Sequence, residues 1–247
     1  MLKYLYLISI TFFLLCGRLS AQVSAGIQKF SIGKILKADP TLKRKEILNN
    51  ATMRVEVQKI GRNDKSQPGT YTEDATYCII KGEASAILGD SLLHCTKRSV
   101  LYVRAGTKLR FTGIKKRLEL LAVFSKAASS PEDNVFNNFN LDEIEKSRTP
   151  NDNDWEPFLK AKTIILGLYM LPKKIGGDST LVHKTDELNF VTKGHCKFTV
   201  DNTTMDVKKG DIIFVGKGRG HYFHNLSNDF DVLIWWERKS LEGVGKK

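Results

Sequence analysis

Apolar positions in this chain recur in short alternating runs, not at helical spacing. In the second half they fall at residues 162–170, 187–192, 197–200, 203–207, 211–215, 221–225 and 231–237, in runs rich in β-branched and aromatic residues. Asp201-Asn202 and the stretch from Lys208 to Gly210 supply turn residues between neighbouring runs. Runs of this kind, bounded by turns, predict strands that each bury one face. Many of them at short spacing predict an all-β sandwich or jelly-roll barrel. Helix is expected mainly over residues 42–49, near the N-terminus, and around 140–148.

The pattern is written twice. At an offset of 112 residues, Lys81-Gly82 falls on Lys193-Gly194, Lys97 on Lys209, Val103 on Val215, Gly106 on Gly218 and Phe111 on Phe223. The run Val100-Leu101-Tyr102-Val103 overlies Ile212-Ile213-Phe214-Val215 in the same register. Glycines and strand pattern that stay aligned this long indicate a tandem duplication of one β domain. One copy spans residues 51–126 and the other 156–240. Residues 22–50 are expected as an N-terminal extension, the Ser-, Pro-, Asn- and Asp-rich stretch 127–155 as a linker, and 241–247 as a tail.

Residues 1–21 stand apart. One cation (Lys3), an apolar run from Tyr4 to Cys16 and the sequence Gly17-Arg18-Leu19-Ser20-Ala21 read as a secretory signal peptide cut after Ala21. The apolar run is too short to span a bilayer comfortably, and no second candidate span follows, so no transmembrane segment is expected in the mature chain. A secreted or periplasmic protein is the expectation.

The 247-residue chain carries 39 Lys and Arg against 27 Asp and Glu, a net charge of +12. The leader removes Lys3 and Arg18 and no acid, so the mature protein stays basic and suits anionic partners. The cations are scattered, with no aromatic-interleaved strip and no nucleic-acid motif, which argues against nucleic acid as a partner. Cys78, Cys95 and Cys196 follow the leader. Their odd number and the lack of framework spacing favour buried free thiols over a Cys78–Cys95 disulfide.

The chemistry is concentrated in the second copy, which holds His183, His195, His221 and His224, four of the five histidines. Here the sequence resembles the cupin superfamily. The second half of that family's first motif, G-x5-H-x-H-x(3,4)-E-x6-G, is met by His183-Lys184-Thr185-Asp186-Glu187 and, after six intervening residues, Gly194. The second motif, G-x5-P-x-G-x2-H-x3-N, is met at Gly210, Gly218, His221 and Asn225 with Gly216 in place of the proline. The resemblance implies two tandem jelly-roll β-barrels, a bicupin, with a degenerate first barrel. It further implies that His183, Glu187 and His221 are metal ligands, and that Leu181 stands where the family has another ligating histidine.

Two imidazoles and a carboxylate can hold one divalent transition metal, Fe, Mn, Ni or Zn, on one face and leave other positions open. A histidine pair buried only as scaffold is the plainer reading. At the same offset the first copy has Tyr71 for His183, Ala75 for Glu187 and Leu109 for His221, so a barrel of this kind does without those residues. Their retention in the second copy favours metal. Asn189, on the strand face of Glu187, and Cys196 are expected near a small-molecule ligand, with Lys184 and Arg219 at the barrel mouth for an anionic group. His195 and His224 are expected outside, and Tyr222, Phe223, Trp235 and Trp236 as packing.

Two functions stay open at this stage. One is an exported metalloenzyme, an oxygenase, lyase or isomerase acting on a keto acid, diketone or sugar acid. The other is a non-catalytic module that binds a carbohydrate or another small ligand. Homodimerisation is an expectation from the family alone.

Overall fold

The computed structural model describes residues 26–62, 64, 69–127, 136–148, 155–170 and 180–238. The leader expected at residues 1–21 and the tail at 241–247 lie outside the described residues. The first half runs β1 (Ile27–Ser31), α1 (Ile32–Ala38), β2 (Arg44–Asn49), β3 (Met53–Gly61), β4 (Ala75–Lys81), β5 (Ala84–Leu88), β6 (Ser91–Cys95), β7 (Ser99–Val103), β8 (Leu109–Thr112) and β9 (Arg117–Ser125). The second runs β10 (Phe136–Asn140), α2 (Leu141–Ser147), β11 (Trp155–Lys160), β12 (Ile164–Tyr169), β13 (Leu181–Val182), β14 (Glu187–Lys193), β15 (His195–Val200), β16 (Thr203–Lys208), β17 (Asp211–Val215), β18 (Gly220–His224) and β19 (Asp231–Glu237).

The two halves form tandem β-barrels of matching design. Each has a six-stranded sheet, β10-β7-β4-β9-β3-β2 in one and β1-β17-β14-β19-β12-β11 in the other. A smaller sheet faces each, β6-β5-β8 and β13-β18-β15-β16 respectively. Alternation along the strands divides the apolar residues. On β14, Val191 turns into its own barrel, whereas Leu188 and Phe190 join Val55, Val57, Val100, Leu121 and Trp235 in a core shared by the two large sheets. The first barrel's interior holds Tyr77, Phe111, Leu118 and Phe124.

The repeat reaches further than the sequence showed. Strand β1 pairs with β17 of the other half (Phe30 opposite Ile212), and β10 pairs with β7 (Phe139 opposite Val100). Each half therefore lends its first strand to its twin's large sheet. Residues 22–50, expected as an extension, supply β1, α1 and β2, and the expected linker supplies β10, α2 and the start of β11. The short helix near the N-terminus lies at Ile32–Ala38, not at residues 42–49. That segment is rich in helix formers, but its backbone pairs with β3 from Arg44 to Asn49, and tertiary pairing overrides propensity. The second helix lies where it was expected.

Matching polar contacts tie the halves together. Thr163 Oγ1 donates to Asp74 Oδ2 at 2.5 Å, and its repeat mate Thr52 Oγ1 donates to Asp186 Oδ2 at 2.7 Å. The backbone N–H groups of Ala105 and Lys217 complete the same two sites at 3.0 and 2.9 Å. The paired glycines also have a physical cause. Gly82 and Gly194 sit at φ +93° and +68°, and a Cβ there would lie 2.3 Å from the Arg117 carbonyl oxygen or 2.2 Å from Ser227 Oγ.

Cys78, Cys95 and Cys196 are free and buried. Burial pushes the Cys78 thiol up to about 12 and Cys95 up to about 11. Thiolate is the reactive form, so at pH 8 Cys78 should react with a thiol reagent roughly a thousandfold more slowly than an exposed cysteine. Absorbance titration of the native protein should show these three thiols silent, and all three should appear in denaturant.

Candidate metal centre

Three segments bring the predicted residues together. His183 follows the short strand β13, and its carbonyl accepts a hydrogen bond from Gly218 N at 2.8 Å, which ties it to the turn before β18. Glu187 opens β14 and His221 is the second residue of β18. Glu187 Oε2 lies 3.3 Å from His183 Nε2, and Glu187 Oε1 lies 3.5 Å from His221 Nε2. One ligand atom from each residue lies within 4.8 Å of the others. Two ligand atoms about 2.1 Å from one ion and at right angles to each other would be about 3 Å apart, so the set can close on a single cation.

Neighbouring groups fix each donor. The Arg219 carbonyl can only accept, so His221 Nδ1, 3.0 Å away, carries a proton there and turns Nε2 toward Glu187. The Trp236 indole N–H donates to Glu187 Oε2 at 2.6 Å. Burial works against ionisation of Glu187, but the contact with His221, both imidazoles and the Trp236 hydrogen bond outweigh it and hold the carboxyl below its usual value. Burial lowers His183, with Glu187 opposing it and His221 adding to the depression. A carboxylate beside a neutral imidazole is the protonation state that a metal requires of its ligands.

The three groups line a cavity of about 200 Å³ whose other walls are Trp155, Tyr169, Leu181, Phe223, Ile234 and Trp236. Leu181 stands directly opposite His221 in the β13–β18 pair, so the position of the absent histidine is an apolar wall, as its spacing implied. Asn189 is fully buried on the face of β14 that carries Glu187. Neither of its amide atoms has a hydrogen-bond partner among the described residues.

The other expected contacts do not meet here. Lys184 is exposed and Arg219 Nη1 pairs with Asp201 at 2.6 Å; neither lines the cavity. Cys196 is buried in the barrel core and does not line the cavity. His195 is exposed, and His224 bonds Thr199 on the outer face.

Trp155, Tyr169, Phe223, Ile234 and Trp236 are the cavity residues that sequence reasoning missed. Trp236 was read as packing. Its role follows from its position opposite Glu187 in the β14–β19 pair, which needs the strand register. Trp155 lies outside the motifs. Its ring passes over Gly167, where an added Cβ would lie 2.2 Å from it, so the glycine makes room for this wall.

The first barrel shows what the same frame becomes without this chemistry. Tyr77 replaces Asn189 and packs edge-on against Phe111 and Phe124, with ring centroids at 6.3 and 6.0 Å. Arg54 lies 3.7 Å over the Phe124 ring, pairs with Glu56 and reaches Glu73 at 2.6 Å, closing over the aromatic interior. Rings and an ion network occupy the space that the second barrel leaves open.

Two barrels of one design, one plugged by rings and one opening onto histidine and carboxylate, define a class of tandem jelly-roll β-barrel protein. The chain belongs to the cupin superfamily. The cupin domain profile matches residues 168–236. An uncharacterized protein of Streptomyces coelicolor is 38% identical over 96 residues, 39% of this chain and 90% of that protein. A cupin 2 conserved barrel domain protein from Leptotrichia buccalis superposes with a TM-score of 0.67 at 14% identity, covering 85% of this chain and 96% of that one. Salicylate 1,2-dioxygenase from Pseudaminobacter salicylatoxidans gives 0.70 at 9% identity, over 88% and 85% of the two chains. At these identities the structural likeness is one of fold.

Proposed function

We propose that this protein is exported and that its second barrel holds one divalent transition metal, Fe, Mn, Ni or Zn, on His183, Glu187 and His221. The observation that carries this is the meeting of three ligand-type side chains from three segments in the wall of a cavity. The metal would act as a Lewis acid toward an oxygen of a small molecule bound beside it. The protein's own groups orient the site: Trp236 holds one oxygen of Glu187, and the Arg219 carbonyl fixes the His221 tautomer.

The cavity walls narrow the ligand. Among the described residues no Lys or Arg lines the cavity, and Glu187 is part of its wall. A compact, flat, neutral carbonyl compound such as a diketone fits these walls better than a sugar acid. Sugar hydroxyls set against Leu181, Phe223 and Ile234 would lose their hydrogen bonds to water without replacement. The same argument disfavours a carbohydrate-binding module.

Metal content of the purified protein, followed by titration with each of the four ions, tests the reading. One bound ion per chain is expected. Leu181→His should then tighten binding about tenfold, the equivalent of 1.4 kcal/mol, because the new imidazole stands opposite His221. A protein that is purified without metal and binds none of the four ions would overturn the proposal.

A further inference from the structure

The outer face of β14, opposite the one that carries Glu187, borders a second hollow of about 310 Å³ where α1 meets both large sheets. Its origin is visible in the repeat. On one side of the molecule, Arg98 binds Asp231 at 3.0 Å, and Asp142 and Glu145 of α2 at 2.7 and 3.3 Å. On the other side, the equivalent positions are Gly210 for Arg98, Gly33 for Asp142 and Leu36 for Glu145. Three members of an ion cluster have become two glycines and a leucine, and all three line the hollow.

The charges around it do not cancel. Arg98 is satisfied by its acids, and Glu119, the mate of Asp231, is held by Arg117 at 2.7 Å. Lys97 and Lys209, which are repeat mates, both line the hollow, and neither forms an ion pair among the described residues. They stand close enough that the charge of Lys209 is the main cause lowering the Lys97 ammonium below its usual value. Two adjacent cations that form no ion pair among the described residues, above apolar walls, are complementary to a negative head on an apolar body. The volume sits at the lower end of the roughly 300–1,000 Å³ typical of small-molecule sites.

We propose that this hollow is a second ligand site for a small amphipathic anion, with an apolar body against Ile32, Leu36, Ile80 and Phe190 and a carboxylate-type head between Lys97 and Lys209. It is separate from the barrel cavity and independent of the metal.

Calorimetric titration of the full mature chain with octanoate tests this, with octanol and inorganic phosphate as comparison probes. Octanoate should bind, and the two comparison probes should bind at least about tenfold more weakly, because each lacks one half of the complement. Lys97→Ala/Lys209→Ala should weaken octanoate about tenfold, the scale of charge-assisted hydrogen bonds to one head group. Gly33 lines the hollow and a Cβ there meets nothing within 4 Å, so Gly33→Leu should fold, crowd the hollow and abolish binding. No octanoate binding to the wild type, equal binding of phosphate, or unchanged binding by Gly33→Leu would overturn the proposal. So would loss of octanoate binding in His221→Ala, which would place the anion in the barrel.

Discussion

His221→Ala should remove stoichiometric metal from the protein. His221 is buried, and it would supply one of the three proposed ligands, with its tautomer already set by the Arg219 carbonyl. Loss of an outer-shell partner alone typically weakens metal binding about 10- to 100-fold, so removal of a ligand should cost at least about 100-fold. The consequence extends to stability. An ion present at about 100 times its dissociation constant stabilises the folded state by about 2.7 kcal/mol, so added metal should raise the melting temperature of the wild type and leave the variant unmoved. The deleted ring also packs against Phe198, at a centroid distance of 5.7 Å, so the variant loses some stability for reasons unrelated to metal. Glu187→Gln separates the two effects. It keeps the shape and the Trp236 contact but removes the negative charge, so it should lose metal with a much smaller change in the melting temperature of the metal-free protein. A wild type whose unfolding does not respond to any of the four ions would count against the ligand set.

How much of this was legible depended on whether the cause was local. Strands such as 211–215 and 231–237 announce themselves because both alternation and turn residues lie within the segment. The triad was legible because motif spacing carries it and because Ala75 and Leu109 in the first copy show the same frame without ligands. Residues 42–49 misled because Lys, Arg, Glu and Leu favour helix, whereas the deciding interaction is a ladder to β3. The exchange of β1 and β10 between the barrels could not be read at all. The pairing of Phe30 with Ile212 joins opposite ends of the chain, and no local pattern encodes it. The cavity walls fall in between. Trp155 and Gly167 form one unit, a ring and the space for it, yet the chain separates them by a strand and a turn, so only the fold shows that the glycine serves the tryptophan. The setting of Arg219 was hidden for a similar reason, because Asp201, its partner, becomes its neighbour only when β15 and β18 pair.

Asp74→Ala should produce the largest loss of stability outside the metal site, about 3 kcal/mol. The carboxylate is fully buried and accepts hydrogen bonds from Tyr102 Oη at 3.0 Å, Thr163 Oγ1 at 2.5 Å and Ala105 N at 3.0 Å. Alanine leaves three donors facing a space that water reaches poorly, and each unpaired buried group costs about 1–3 kcal/mol, reduced where a donor can turn to another acceptor. For a chain of this size the melting temperature should fall by roughly 10 °C. The repeat supplies the control. Asp186 makes the equivalent contacts to Thr52 and Lys217, but it is only partly buried, so water can replace them and Asp186→Ala should cost about 1 kcal/mol. Chemical denaturation of the two variants side by side therefore measures burial against hydrogen bonding at one interface. If the costs prove equal, hydrogen bonding and not burial sets the strength of the clasp. A larger cost for Asp74 shows that the plugged barrel anchors its open twin through the drier of two matching contacts.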